Sequence, residues 1–66
     1  MRVSEQDADV IRRAIRERNA TMAGRISDRC RARGLTYQQT YELVNSVEPI
    51  SAPAWETLMY EADTEA

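Results

Sequence analysis

The side chain in this 66-residue chain with the strongest claim to nucleophilic chemistry is Cys30, which lies between Arg29 and Arg31. Neighbouring cations favour the thiolate, which is the reactive form of a cysteine. Cys30 also continues an i, i+4, i+8 series from Met22 and Ile26, which is the spacing of one helix face. Free cysteine is among the most frequently buried residue types. The sequence therefore favours a small core residue over a reactive thiol.

The rest of the composition offers little to acid–base or metal catalysis. Hydrolysis near neutral pH generally uses histidine, a carboxylate pair in a cleft or a bound metal. The chain has no histidine, a single cysteine, no glycine-rich phosphate loop and no metal-ligand spacing. We therefore expect no enzyme activity, no metal, no cofactor and no small-molecule substrate.

Charge is distributed unevenly between the two halves of the chain. Residues 1–33 hold all nine arginines and five acids, a net charge of +4, whereas residues 34–66 hold six acids and no base, a net charge of −6. Such a division can mark a nucleic-acid surface on the basic half. It is equally compatible with head-to-tail pairing of two chains, or with two solvated faces that differ by chance.

The length predicts one helical domain over residues 1–66 with a thin core. A chain of this size buries only about 60% of its unfolded surface, and self-association is a common remedy, so we expect a homodimer. No stretch approaches the ~20 apolar residues of a membrane span, and no signal peptide is apparent. The single cysteine favours a reducing compartment, so we expect a cytoplasmic protein.

Apolar residues recur at helical spacing in four segments, which predicts an all-α bundle of four short helices. Ser4 is a favourable N-cap for the first helix, Pro49 ends the third, and Pro53 lies in the first turn of the fourth. The last residues, from about 63, are expected to fray. The predicted helices span about 4–19, 21–33, 36–47 and 52–62.

The segment RARGLTYQQTYELVNS, residues 31–46, predicts a tight corner between the second and third helices. Gly34 is expected in the left-handed conformation that ends a helix, with Leu35 packing back against the preceding turn. Thr36 and Gln39 have the spacing of a capping box, which starts the next helix. The third helix then has one apolar face and one polar face without positive charge.

The longer segment RISDRCRARGLTYQQTYELVNSVEPISAPAWETL resembles the helix-turn-helix of lambdoid phage Cro and repressor proteins. That family has a short helix with a small residue, a turn glycine, an apolar residue and a hydroxyl residue, which Cys30, Gly34, Leu35 and Thr36 match. A recognition helix that often begins with glutamines follows, and then a proline-flanked helix. The resemblance covers residues 22–62.

The chain departs from the family pattern at three positions. Arg29 and Arg33 occupy places where the family usually buries apolar residues, and Thr40 occupies one where Val or Ile is usual. A second register is also possible, in which residues 52–62 form the recognition helix. That register is disfavoured because it would bring Glu56 toward phosphates.

The resemblance implies a small DNA-binding regulator of phage or mobile-element type, with its third helix in the major groove. Glutamine and asparagine suit the edge of adenine, so the implied base contacts are Tyr37, Gln38, Gln39 and Asn45. The implied phosphate contacts are Arg25, Arg29, Arg31 and Arg33. For Gln39 the capping box is already a sufficient explanation, and Tyr37 is more typical of a core residue than of one that stacks on a base.

The alternative is a small phage-type inhibitor or adaptor that blocks a host protein through its helical, acidic surface. A sequence pI near 5.0 and a third helix without positive charge favour this alternative. The glycine corner and the glutamines favour DNA. The residues expected at a protein interface, in a partner complex or a homodimer, are Ile11, Ile15, Trp55, Met59 and Tyr60.

Overall fold

The computed structural model describes residues 3–65 and has four helices, α1 (Glu5–Arg16), α2 (Ala20–Ala32), α3 (Tyr37–Val47) and α4 (Ala52–Glu65). No strand occurs among these residues, so the predicted all-α bundle of four short helices is confirmed. Two boundaries differ from the prediction by three residues each. α1 ends at Arg16, where residue 19 was predicted, and α4 ends at Glu65, where residue 62 was predicted.

The early end of α1 comes from a left-handed residue that the sequence did not reveal. Arg18 has a φ of 51°, and its N–H donates to the Ile15 carbonyl at 3.2 Å. The Asn19 N–H donates to the Ala14 carbonyl at 2.9 Å, which completes the paired bonds of a Schellman motif. Asn19 then begins α2, since its side chain accepts from the Met22 N–H at 3.1 Å.

The corner after α2 has the predicted geometry. Gly34 has a φ of 87°, in the region where only glycine is free of Cβ strain. Its N–H donates to the Arg31 carbonyl at 2.9 Å, and the Leu35 N–H donates to the Cys30 carbonyl at 3.0 Å. Leu35 is partly buried against the core that includes Cys30. The chain therefore turns sharply and places α3 close to the end of α2.

The start of α3 confirms the predicted capping box. The Gln39 N–H donates to the Thr36 hydroxyl at 3.2 Å, and the Thr36 N–H donates to the Gln39 side-chain oxygen at 2.9 Å. Thr40 is 3% exposed and donates its hydroxyl to the Thr36 carbonyl at 3.0 Å. A buried hydroxyl with a hydrogen-bond acceptor carries little penalty, so threonine is tolerated at this core position.

The core surrounds α2, which packs against each of the other three helices. Cys30 is 6% exposed and belongs to this core, as predicted. The buried side chains that form one cluster are Ile11, Ala14, Ala20, Ala23, Ile26, Cys30, Val44, Trp55 and Leu58.

α2 and α4 approach closely because α2 carries small residues on the side that faces α4. A Cβ atom built on Gly24 would lie 3.0 Å from the Cβ of Ala62, closer than carbon atoms normally pack. The absent side chain at Gly24 therefore fixes the separation of the two helices at this point.

Trp55 is the largest buried side chain, at 1% exposure. Its indole Nε1–H has no hydrogen-bond acceptor among the described residues. Leaving a buried donor unpaired costs roughly 1–3 kcal/mol, which offsets part of the stabilisation that burial of the ring provides.

The two left-handed positions give a matched prediction. Gly34→Ala should lower the free energy of unfolding by about 1 kcal/mol, because the strain of a left-handed alanine exceeds the entropy that glycine loses on folding. Arg18→Gly should raise it by a similar amount, because the strain of a left-handed arginine is removed. Urea unfolding followed by Trp55 fluorescence measures both changes. Destabilisation by Arg18→Gly would contradict the left-handed conformation of Arg18, and unchanged stability in Gly34→Ala would contradict that of Gly34.

Candidate functional site

The polar face of α3 lies at the surface, as the DNA-binding prediction requires. Tyr37 is 51% exposed, and Gln38, Gln39 and Asn45 are also exposed. The alternative that Tyr37 belongs to the core is therefore wrong. Gln38 and Asn45 lie on the same side of α3, whereas Tyr37 and Gln39 lie on opposite flanks of that side.

The amide groups on this face already have partners within the chain. Gln39 is part of the capping box. The Asn45 side-chain oxygen accepts from the Ile50 N–H at 2.9 Å and holds the loop after α3. Gln38 donates to a Glu42 carboxylate oxygen at 3.3 Å. To read a base edge, these side chains would have to exchange contacts that cap the helix or fix its loop.

The two arginines that depart from the family pattern share an acidic partner on α1. Asp7 Oδ1 lies 2.7 Å from Arg29 Nη1, and Asp7 Oδ2 lies 3.9 Å from Arg33 Nη2. The Asp7 side chain is 23% exposed, whereas both arginine side chains are more than half exposed. Asp7 therefore joins α1 to the end of α2 by charge where the family pattern has apolar contacts.

The remaining implied phosphate contacts differ from each other. Arg31 Nη1 lies 4.0 Å from Asp28 Oδ1, with both side chains about three-quarters exposed. Arg25 has no acidic partner among residues 3–64. Exposed ion pairs contribute only about 0.2–1 kcal/mol, so such arginines can exchange partners at little cost.

Across residues 3–64 the arginines are mostly neutralised and several acids are not. Of the eight arginines there, six lie within 4.0 Å of a carboxylate. The acids of this range without an ion pair are Glu5, Glu42, Glu56, Glu61 and Asp63. Three of these five are on α4. The uncompensated charge of the surface is thus acidic and concentrated on the last helix.

Burial revises the predicted protein interface. Ile11 and Trp55 are 2% and 1% exposed and form part of the core, so neither presents a surface to a partner. Helical spacing grouped these apolar residues on one face of each helix, but it could not show whether that face packs in the core or contacts a partner. Ile15 and Met59 are half-buried, and Tyr60 is 71% exposed.

Two exposed tyrosines lie beside one glutamate. Tyr37 and Tyr60 are the exposed large apolar side chains among the described residues. Glu56 precedes Tyr60 by four residues on α4, which places the two on the same side of the helix. We refer to Tyr37, Glu56 and Tyr60 as the acidic–aromatic strip. Of these three residues Tyr37 lines a shallow groove between α2 and α4, to which Met59 and Asp63 also contribute.

The electrostatics of Tyr37 link the two helices of the strip. Partial burial raises the pKa of Tyr37 above its ordinary value of 10.0, and the negative charge of Glu56 and the nearby Tyr41 raise it further. No sequence pattern pairs Glu56 with Tyr37, because they are 19 residues apart on helices whose packing depends on the whole fold.

The described residues contain no group of three or more side chains arranged to hold a metal ion. Among the same residues, no helix combines the length and apolar character needed to cross a membrane.

No family model matches the chain, and no curated protein or solved structure matches it either. The resemblance to Cro and repressor proteins stays a prediction that rests on the corner residues.

Titration of Tyr37 tests the geometry of the strip. Because its pKa is higher in the folded chain than in the unfolded one, its contribution to stability is complete below about pH 10 and is lost as the pH rises through the folded value. Glu56→Gln should shift the Tyr37 transition to lower pH, since one cause of the raised pKa is removed. Absorbance at alkaline pH measures it, with Tyr37→Phe identifying which transition belongs to Tyr37. An unchanged transition in Glu56→Gln would place Glu56 away from Tyr37.

Proposed function

We propose that this protein is a small protein-binding module of the inhibitor or adaptor class, which engages a basic surface of its partner through the acidic–aromatic strip. The observation that carries the proposal is the combination of exposed Tyr37 and Tyr60 with Glu56, on the side of the chain whose carboxylates lack internal cations.

The chemistry of the strip fits a partner that presents arginine or lysine. Tyrosine is enriched at protein interfaces and at the residues that dominate binding energy. An arginine placed over a tyrosine ring gains cation–π energy, and a neighbouring carboxylate adds a charge-assisted hydrogen bond. Glu56 is near enough to Tyr37 to raise its pKa and lies one helical turn from Tyr60, so one guanidinium group could contact a ring and the carboxylate together.

The other acids of α4 would act at longer range. Glu61 and Asp63 have no ion pair among residues 3–64 and add negative charge next to the strip. Charges at the edge of an interface mainly accelerate association and select partners of opposite charge. Binding is therefore expected to weaken as salt concentration rises.

Substitutions in the strip test the proposal. The chain is immobilised and exposed to a lysate of cells that encode it. Tyr60→Ala should reduce retention of a specific partner by about tenfold or more, because a central interface tyrosine commonly contributes over 1.4 kcal/mol. Glu56→Gln should act in the same direction. Glu5→Gln is the charge-matched control on α1 and should retain the partner. Equal retention by all four chains would refute the strip as the binding surface.

The α2–α3 corner favours a second candidate function, DNA binding. Gly34 and the capping box fix a sharp turn in front of α3, and the polar face of α3 is exposed beside it. Arg29 and Arg33 could exchange Asp7 for phosphate, since the ion pairs are largely exposed. Glu42 on the same face opposes phosphate approach, which is why this function is placed second.

A salt series with random duplex DNA separates the two functions. Phosphate contacts give a log–log slope of about −0.9 for each neutralised phosphate. If the corner binds DNA, Asp7→Asn should strengthen binding by releasing two arginines, and Arg33→Gln should reduce the slope by about one phosphate. If the chain binds only a protein partner, we expect no binding to duplex DNA at ~50 mM salt, and that result would refute the DNA-binding function.

A further inference from the structure

A second surface of the molecule, between α1 and α2, is apolar at its floor and charged at its rim. The groove holds about 390 Å³ and is lined by Val10, Met22, Arg25, Ile26, Asp28 and Arg29. Val10 and Met22 are only half-buried, so apolar area remains open to water here. This surface includes neither Tyr37 nor Tyr60, although Asp28 also lines the groove beside Tyr37.

The outward side of α2 beside this groove is a stripe of four exposed residues at helical spacing, Thr21, Arg25, Asp28 and Ala32. They follow the i, i+4, i+7, i+11 pattern of one helix face. The two outer residues are small, and the two inner ones carry opposite charges. Reversing the direction of the helix exchanges the two small residues and exchanges the two charged ones.

The charges of the stripe are poorly compensated within the chain. Arg25 has no acidic partner in residues 3–64, although Asp28 lies one turn away on the same helix. Asp28 reaches only Arg31, at 4.0 Å, with 78% of its side chain exposed. Each inner residue is therefore able to accept a better partner of opposite charge.

We propose that this stripe is the contact between two copies of the chain, with α2 of one packed antiparallel against α2 of the other. A twofold axis that passes the stripe between Arg25 and Asp28 places each Arg25 against the partner's Asp28. It also places each Thr21 opposite the partner's Ala32, where small side chains allow the helices to approach closely. Such a contact is self-complementary and closes at two subunits.

Two further observations favour a second copy over an unrelated protein. The two charges of the stripe are both paired when a second stripe packs against it in the antiparallel direction. An unrelated protein would need the same order of small and charged residues to pair them. The flanking apolar side chains Val10 and Met22 would lose water contact in the same dimer. Small chains with thin cores commonly gain stability through association of this kind.

Charge reversal tests the proposal. In sedimentation equilibrium at high concentration and low salt, the wild-type chain should have a mass of twice its 7.6 kDa. Arg25→Glu and Asp28→Arg should each be monomeric, because each creates two like-charge contacts per dimer. The double variant should dimerise again. An equal mixture of the two single variants should also form a dimer, since one copy of each restores both pairs.

A control variant and circular dichroism keep these outcomes interpretable. Arg18→Glu reverses the other arginine without an acidic partner in residues 3–64 and should stay dimeric. An unchanged circular dichroism signal in every variant shows that a lower measured mass reflects loss of association and not unfolding. A monomeric wild type, dimers of both single variants, or a mass that grows beyond two subunits would overturn the proposal. Failure of the mixture to associate would also overturn the proposal, because the mixture restores both pairs between positions 25 and 28.

Discussion

Close packing around α2 is the constraint on which the rest of this bundle depends. α2 contacts all three other helices, and the missing side chain of Gly24 leaves room for α4 where Ala62 approaches. Ala20 and Ala23 are buried on the same helix. A chain of 66 residues has too few large apolar side chains to fill a wide core, and small residues on a central helix let a thin core reach native packing density.

This packing also determines where the charges lie. Since one side of α2 is reserved for close contact, its arginines occupy the outer sides, where Asp7 and Asp28 compensate three of them. α4 buries Trp55 and Leu58 against the core. Its acids Glu56, Glu61 and Asp63 have no such cationic partner among residues 3–64. The division of charge between the halves of the sequence thus becomes a largely neutralised arginine-rich side and an acidic last helix. That difference, more than the shape of the corner, favours a protein partner over DNA.

The sequence was sufficient for features that depend on neighbouring residues. The Ser4 cap, the left-handed Gly34 and the Thr36–Gln39 box each follow from side chains within four positions of one another. It was insufficient where helices meet. The bond between Asp7 and Arg29 spans 22 residues, and apolar spacing could not show that Ile11 faces inward. No spacing in the sequence relates Asp7 to Arg29, because the two residues lie on different helices.

The burial of Cys30 makes the corner accessible to chemical measurement. Its thiol is shielded in the core, while its carbonyl accepts the Leu35 bond that closes the turn. Because Cys30 is only 6% exposed, labelling by a thiol reagent should be slow in the closed state and faster when this part of the chain opens. The rate of native-state labelling would therefore report the local opening free energy of the corner separately from global unfolding. Cys30, which lies between two arginines as a reactive cysteine often does, is thus a probe of the local stability with which α3 is held.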